Sequence, residues 1–338
     1  MSYRIQVLET GACFSAERDE SLLAAALRAD VPLAHDCQFG GCGTCRVKVH
    51  EGTLDYEEFP LGLTEEEAQA GFALACQARP RSDIVIGAGH TGAPTSEPAR
   101  HTVRVEAVRL LAHDVTHLTL ALPEDAEMIY RPGQYMNVML EDGSHRSFSM
   151  ASAARAGGLV DFHVRKIAGG RFTDRVVAQL KPGDRLDVEL PLGGFRLHEE
   201  DYRPLLMVAT GTGLAPVKAM LESLMDDPDC PPVTLYWGAR TADGLYLHDE
   251  IGRWAERLYE FRYVPVLSRA DTAWSGRRGY VQHAVCEDHA DLSEHAVYLC
   301  GSPAMIAEAK AAFIAKGASV DHLNSDSFTF QHAAAALV

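Results

Sequence analysis

Apolar residues recur along this chain in three successive rhythms. Residues 3–8 and 46–49 alternate polar and apolar as strands do, and between them residues 21–28 read as a short helix capped by Asp19 or Ser21. Thr64-Glu65-Glu66-Glu67-Ala68 opens a further helical turn, with a threonine cap and acidic residues at the positive helix end. From His101 to about Leu197 a period of two dominates, as in Leu118, Leu120 and Leu122 or Met136, Val138 and Leu140, with turns at Pro132-Gly133 and Pro182-Gly183. Many short strands joined by such turns predict a small antiparallel barrel. At Leu205-Leu206-Met207-Val208-Ala209 the run becomes continuously apolar, as in a strand buried on both faces. Helix and strand patterns then alternate: Val217, Met220, Leu221 and Leu224 share a helix face, and residues 233–237, 263–267 and 296–299 read as strands. That alternation predicts a doubly wound parallel sheet.

Between the first and second rhythms lies a stretch from Gly87 to Pro98 rich in Gly, Pro, Ser and Thr, which reads as a linker. The boundaries expected are a first domain over 1–88, a linker over 89–100, a barrel over 101–200 and a sheet domain over 201–338. A chain of 338 residues is long enough for two to three domains. Its 47% hydrophobic and 23% charged residues are those of a globular protein. The formal net charge of −16 argues against a nucleic-acid partner, because phosphate contacts need clustered Lys and Arg. No apolar run reaches the length of a membrane span, and residues 1–7 alternate unlike a signal peptide, so no membrane association, a cytoplasmic location and a monomer are expected. Of eight cysteines, Cys13, Cys230 and Cys286 fall in no motif and read as small hydrophobes.

The other five carry chemistry. Cys37, Cys42 and Cys45 are spaced C-x4-C-x2-C, with Cys76 further on, which is the spacing that ligates a plant-type 2Fe-2S cluster. Gly40, Gly41 and Gly43 allow the loop to turn its amides toward inorganic sulfide. The alternative is a structural zinc knot, which usually presents two short Cys-x2-Cys pairs. In the barrel, Arg146-Ser147-Phe148-Ser149 puts a cation and an aromatic ring on one strand face, suited to a phosphate and a flat ring, although a solvated Arg beside a core Phe has the same pattern. Gly169-Gly170-Arg171-Phe172-Thr173 follows a strand with the turn, cation and cap expected where a helix start receives a pyrophosphate. Together these suggest a flavin dinucleotide site. Thr210-Gly211-Thr212-Gly213-Leu214-Ala215-Pro216 makes a Gly-rich turn directly after the first buried strand, and Cys300-Gly301-Ser302-Pro303 repeats that arrangement at the last; both fall at the carboxyl edge of the sheet, where dinucleotides bind.

With three motifs in this order, the chain resembles, from about residue 3 to residue 330, the reductase components of bacterial aromatic-ring-hydroxylating dioxygenase systems of the benzoate, naphthalene and terephthalate type. The resemblance implies a β-grasp 2Fe-2S ferredoxin domain (α+β), an antiparallel β-barrel FAD domain, and an α/β doubly wound nucleotide domain. It implies that Cys37, Cys42, Cys45 and Cys76 hold the cluster. It assigns Arg146, Phe148 and Ser149 to the flavin, with Phe148 where Tyr is frequent, and Arg165, Gly170, Arg171 and Thr173 to its pyrophosphate. Gly211, Thr212 and Gly213 match the nucleotide loop, and Cys300, followed by Gly301, matches a cysteine beside the reactive nicotinamide carbon, placing the ring by soft contact. Phe328, after Asp326 and Ser327, falls where relatives carry an aromatic that covers the flavin. Cys300, Ser149 and Phe328 are thus the residues expected at the reacting rings.

Electrons are then expected to pass from NADH, or alternatively NADPH, through FAD to the cluster, and on to a Rieske-type oxygenase component or an intermediate Rieske ferredoxin. The flavin reconciles a two-electron donor with a one-electron acceptor, while the protein supplies placement. Arg240 and Ser268-Arg269 end adjacent strands and are positioned to clamp a 2′-phosphate or to neutralise the pyrophosphate. The rival readings are a reductase for a di-iron monooxygenase or a deoxysugar dehydratase, a diaphorase, and a non-catalytic 2Fe-2S redox sensor, which would not need the flavin and nucleotide motifs. Hydrolytic motifs such as G-x-S-x-G and H-E-x-x-H are absent.

Overall fold

A computed structural model describes residues 2–35, 38–41, 43–87, 98–123, 130–155 and 157–328. Most of the expected linker, over 89–97, lies outside the described residues together with residue 88. The chain falls into two compact units, one drawn from residues up to 92 with 301–315 and those from 325 on, the other from 93–300 with 316–324.

The first unit begins with β1 (Ser2–Val7), β2 (Cys13–Glu17), α1 (Leu22–Arg28), β3 (Arg46–Glu51), β4 (Leu54–Asp55), α2 (Glu65–Gln69), β5 (Phe72–Leu74), β6 (Arg79–Pro80) and β7 (Ile84–Gly87). Five strands form one mixed sheet in the order β2-β1-β7-β3-β5, with β1 parallel to β7 and antiparallel to β2. Ser21, not Asp19, caps α1: its hydroxyl accepts from the Ala24 amide at 3.1 Å, and Leu22, Leu23, Ala25 and Ala26 are buried. Thr64 caps α2 in a reciprocal box, its hydroxyl accepting from the Glu67 amide at 3.1 Å while Glu67 accepts from the Thr64 amide at 2.9 Å. The Glu67 carboxylate is fully buried and would be costly there alone. It is matched by Arg46 at 2.6 Å and by Lys310 at 3.0 Å, the latter from α6 (Pro303–Ala315).

In the second unit the period of two becomes β8 (Ala99–Ala112), β9 (Val115–Ala121), β10 (Tyr135–Met139), β11 (His145–Ser149), β12 (Leu159–Arg165) and β13 (Arg185–Leu192). Their order is β11-β10-β13-β8-β9-β12, and the two end strands meet through an antiparallel bridge between Met150 and Phe162, which closes the sheet into a barrel. The alternating residues Leu118, Leu120, Met136, Val138, Phe162 and Val164 fill its interior.

The third rhythm becomes β14 (Leu205–Thr210), α3 (Leu214–Leu224), β15 (Val233–Ala239), α4 (His248–Ile251), β16 (Arg262–Leu267), β17 (Arg277–Arg278), α5 (Val281–Asp288), β18 (Ala296–Gly301), α6 and β19 (Leu323–Ser327). The strand order is β17-β16-β15-β14-β18-β19, with parallel pairing from β17 through β18. The order reverses at β14, flanked by β15 on one side and β18 on the other, both later in the chain, so β14 marks the switch point where ligands bind in open α/β sheets.

Barrel and sheet are joined by charged groups made tolerable by pairing. Buried Lys218 on α3 donates to the Ala151 carbonyl at 3.0 Å and pairs with Glu222, which accepts from the Ala153 amide at 3.1 Å and faces Arg155. Arg155 continues to Asp161 on β12 at 2.7 Å. At the Pro132-Gly133 turn, Gly133 has φ +105°, and a Cβ there would collide with the Met220 side chain of α3 and lie 2.5 Å from the Phe195 carbonyl.

Candidate functional site

Two of the four candidate cluster ligands, Cys37 and Cys42, lie outside the described residues. Cys45 and Cys76 are buried, and the Cys45 carbonyl accepts from the Ala75 amide at 3.0 Å, which draws the two thiol-bearing segments together. Gly40 and Gly43 have φ +79° and +81°, where only glycine is unstrained. A Cβ on Gly40 would lie 2.8 Å from Pro60 Cβ and 2.9 Å from Gln77 Cγ, so the loop is folded tightly against its neighbours. Gln77 donates to the Gln38 carbonyl at 3.0 Å, and the Gly62 amide to the Gly40 carbonyl at 2.7 Å. Burial pushes the Tyr56 phenol up to about 12, with the Cys45 and Cys76 thiols adding to the rise. Two enclosed thiols under a glycine-bent loop suit a thiolate-bound cluster.

On the barrel, β11 pairs with β10 so that Arg146 lies opposite Val138, Phe148 opposite Met136 and Ser149 opposite Tyr135. Arg146 and Phe148 are half-buried and Ser149 is buried. The Phe148 ring packs 5.3 Å from that of Phe172, at the margin of the barrel core. The segment from Gly169 opens a helical turn with Gly170 at its cap, and the Asp174 amide donates to the Gly170 carbonyl at 3.1 Å. Arg171–Val176 makes one wide turn of π type, followed by a single 3-10 turn, and the loop before it is tied down by Thr173, which accepts from the Ile167 amide at 3.1 Å, and Asp174, which accepts from the Gly169 amide at 3.0 Å. Gly170 leaves no room for a side chain: a Cβ there would be 2.7 Å from Thr173 Oγ1 and 2.8 Å from the Ile167 carbonyl. Bare backbone at such a point suits close approach by a phosphate.

On the sheet, Gly211–Gly213 forms a 3-10 turn between β14 and α3, with Gly211 at φ +55° and Gly211 and Thr212 partly exposed. Pro216 occupies the third helical position, where no intrahelical donor is required. The Gly211 carbonyl accepts from the Trp237 indole at 2.9 Å. Arg165, on β12 of the barrel, pairs with Asp114 at 2.8 Å and holds its guanidinium 3.7 Å from where a Gly211 Cβ would stand. A cation expected at one dinucleotide and a turn expected at the other are thereby brought together. Cys300 is buried opposite Ala209, one residue before Thr210. Phe328 donates its amide to the Gly301 carbonyl at 2.8 Å. The Ser268 amide donates to Ala239 at 3.0 Å and the Arg269 amide to Arg240 at 2.8 Å, so Arg240, Ser268 and Arg269 share the carboxyl edge of β15 and β16 with exposed side chains.

Asp114, His163, Trp237 and Tyr246 stand at this junction although they belong to no sequence motif. His163 carried a signal: Asp161, His163 and Arg165 alternate with the apolar Phe162 and Val164, so all three share one face of β12. Burial, with Lys218 and His117 nearby, holds His163 well below the usual imidazole value. It is therefore neutral at pH 7.

Three family models match the chain in succession: a 2Fe-2S iron-sulfur cluster binding domain over residues 5–81, an oxidoreductase FAD-binding domain over 102–197 and an oxidoreductase NAD-binding domain over 207–311. The chain is 33% identical to the CDP-6-deoxy-L-threo-D-glycero-4-hexulose-3-dehydrase reductase of Yersinia pestis, across 97% of this chain and 99% of that one. It is 34% identical to reductase component 2 of the terephthalate 1,2-dioxygenase of Comamonas, across 97% and 98%. Among solved structures it resembles the Amycolatopsis cytochrome P450 reductase GcoB with a TM-score of 0.73 and 32% identity, across 97% of this chain and 99% of that one.

Proposed function

Because the chain belongs to the three-domain reductases that join a 2Fe-2S, an FAD-binding and an NAD-binding domain, we propose that it is the reductase component of an oxygenase system acting on aromatic compounds. It is an NAD(P)H-dependent flavoprotein oxidoreductase, and its cofactors are FAD, a 2Fe-2S cluster and NAD(H). When bound, these groups supply hydride acceptance and single-electron release, chemistry no side chain here provides.

The protein's residues bind and orient. In this reading Cys37, Cys42, Cys45 and Cys76 hold the cluster. Arg146, Phe148 and Ser149 flank the flavin, and Gly170, Arg171 and Thr173 take its pyrophosphate with Arg165. Gly211, Thr212 and Gly213 receive the nucleotide, Cys300 and Gly301 border the nicotinamide, and Phe328 covers the flavin. The observation that carries the reading is the approach of Arg165 to the Gly211 turn, since it sets a barrel cation against the phosphate-cradling turn of the sheet. Arg240, Ser268 and Arg269 form a rim that decides between NADH and NADPH, with NADH preferred; the ratio of kcat/KM for the two nucleotides measures that choice.

The electron acceptor is a Rieske-type oxygenase component or its ferredoxin, and the reductase acts as a monomer. A second reading, service to a deoxysugar dehydratase, is favoured by the equally extensive match to the Yersinia reductase. Anaerobic titration with NADH, followed by absorbance and electron paramagnetic resonance, tests the route: bleaching of flavin absorbance followed by the rhombic signal of a reduced 2Fe-2S cluster supports it. A protein that binds zinc and shows no flavin band would refute it. Reduction of a purified Rieske protein compared with a dehydratase separates the two acceptors.

A further inference from the structure

Tyr246 bears no cofactor in this scheme, yet it stands where barrel and sheet meet. Its hydroxyl lies 3.1 Å from His163 Nδ1 on β12, the strand face that also carries Arg165. Its ring meets Trp237 edge-on, with centroids 5.1 Å apart at 84°. Trp237 is fully buried and donates its indole N–H to the Gly211 carbonyl. Burial pushes the Tyr246 phenol up, with Arg165 opposing and Asp114 and Cys300 adding to the rise, so the hydroxyl stays protonated.

Gly211 has no side chain to hold its own conformation, and its φ of +55° is one of several a glycine adopts freely. The turn therefore depends on what fixes its carbonyl. We propose that Tyr246 is a positioning residue for dinucleotide binding: His163 holds its hydroxyl, its ring fixes the Trp237 indole, and the indole sets the Gly211 turn in the form that receives the pyrophosphate. The Arg165 guanidinium approaches the turn itself while His163 acts through Tyr246 and Trp237, so one face of β12 bears on the turn by two routes. This rests on the assignment of the Gly211 turn to NAD(P)H.

The test is calorimetric titration of the FAD-loaded protein with NAD+. Tyr246→Phe and His163→Leu should each raise Kd about fivefold, the effect of one lost net hydrogen bond, with FAD content unchanged. His163→Gln, whose amide can still reach the phenol, should restore near-native affinity. A lowered melting temperature with an unchanged Kd in both Tyr246→Phe and His163→Leu would make the contact merely structural and overturn the proposal. Gly211→Val serves as the separate control: if it abolishes NAD+ binding, an unchanged Kd in Tyr246→Phe sinks only the role of Tyr246. If Gly211→Val binds NAD+ normally, the assignment of the turn itself fails.

Discussion

Lys310 Nζ lies 3.0 Å from Glu67 Oε1, an ion pair formed between residues 243 positions apart. Both side chains are almost wholly buried, and Arg46 completes the set from β3. Burial alone would raise the Glu67 carboxyl, but Lys310, Arg46 and the Thr64 amide outweigh it and hold it below the usual glutamate range. A carboxylate with a depressed native pKa contributes stability in full above its unfolded value and loses it as pH falls through the native one. The first unit should therefore lose stability below about pH 4.3, and Glu67→Gln should flatten that loss. Chemical denaturation at a series of pH values reads the slope directly; identical slopes for both proteins would contradict the pairing.

Lys310→Met keeps the length of the side chain and removes its charge, leaving the carboxylate to Arg46 and the Thr64 amide. Breaking a buried pair from one side costs about 3 kcal/mol. Urea unfolding should show that loss, and the double variant with Glu67→Gln should recover part of it.

Cys45→Ser and Cys76→Ser replace soft thiolates that the structure holds in enclosed positions. Each should abolish the cluster's visible absorbance and most of its iron while FAD content persists. Iron retained at native levels in both variants would remove these residues from the ligand set.

Gly170→Val would force a branched side chain against the Ile167 carbonyl, only 2.8 Å from the Cβ position and part of the main chain. Overpacking of this kind costs about 1 to 3 kcal/mol, so FAD affinity should fall about tenfold or more. Flavin released on gel filtration measures it, and full retention would show that the turn has room to spare.

Cys300→Ala should slow NADH-driven bleaching of the flavin about tenfold, since small displacements of a reacting ring are costly. Iron content should stay unchanged. Stopped-flow absorbance under anaerobic conditions gives the rate, and native kinetics would remove Cys300 from the nicotinamide site.

The layout of the chain was legible because strand alternation and buried runs are local patterns. Leu118, Leu120 and Val138 reached the barrel interior as their spacing required, and the Gly211 turn fell between strand and helix as its glycines implied. What was not legible depended on distant partners. Nothing near Tyr246 announces that its hydroxyl meets His163, 83 positions earlier. Lys218 and Lys310 are buried beside the carboxylates of Glu222 and Glu67, and no local pattern announces that burial. The wide form of the turn after Gly169, with Thr173 and Asp174 accepting from the Ile167 and Gly169 amides, has no counterpart in the spacing of its residues.

The Pro132-Gly133 turn has a consequence for anyone recombining such reductases. Met220 of α3 occupies the space that any side chain at position 133 would need, and Glu222 on the same helix accepts the Ala153 amide from the barrel. A chimera that took its barrel from one parent and its nucleotide sheet from another would have to match both surfaces at once. The two should be inherited as a single cassette.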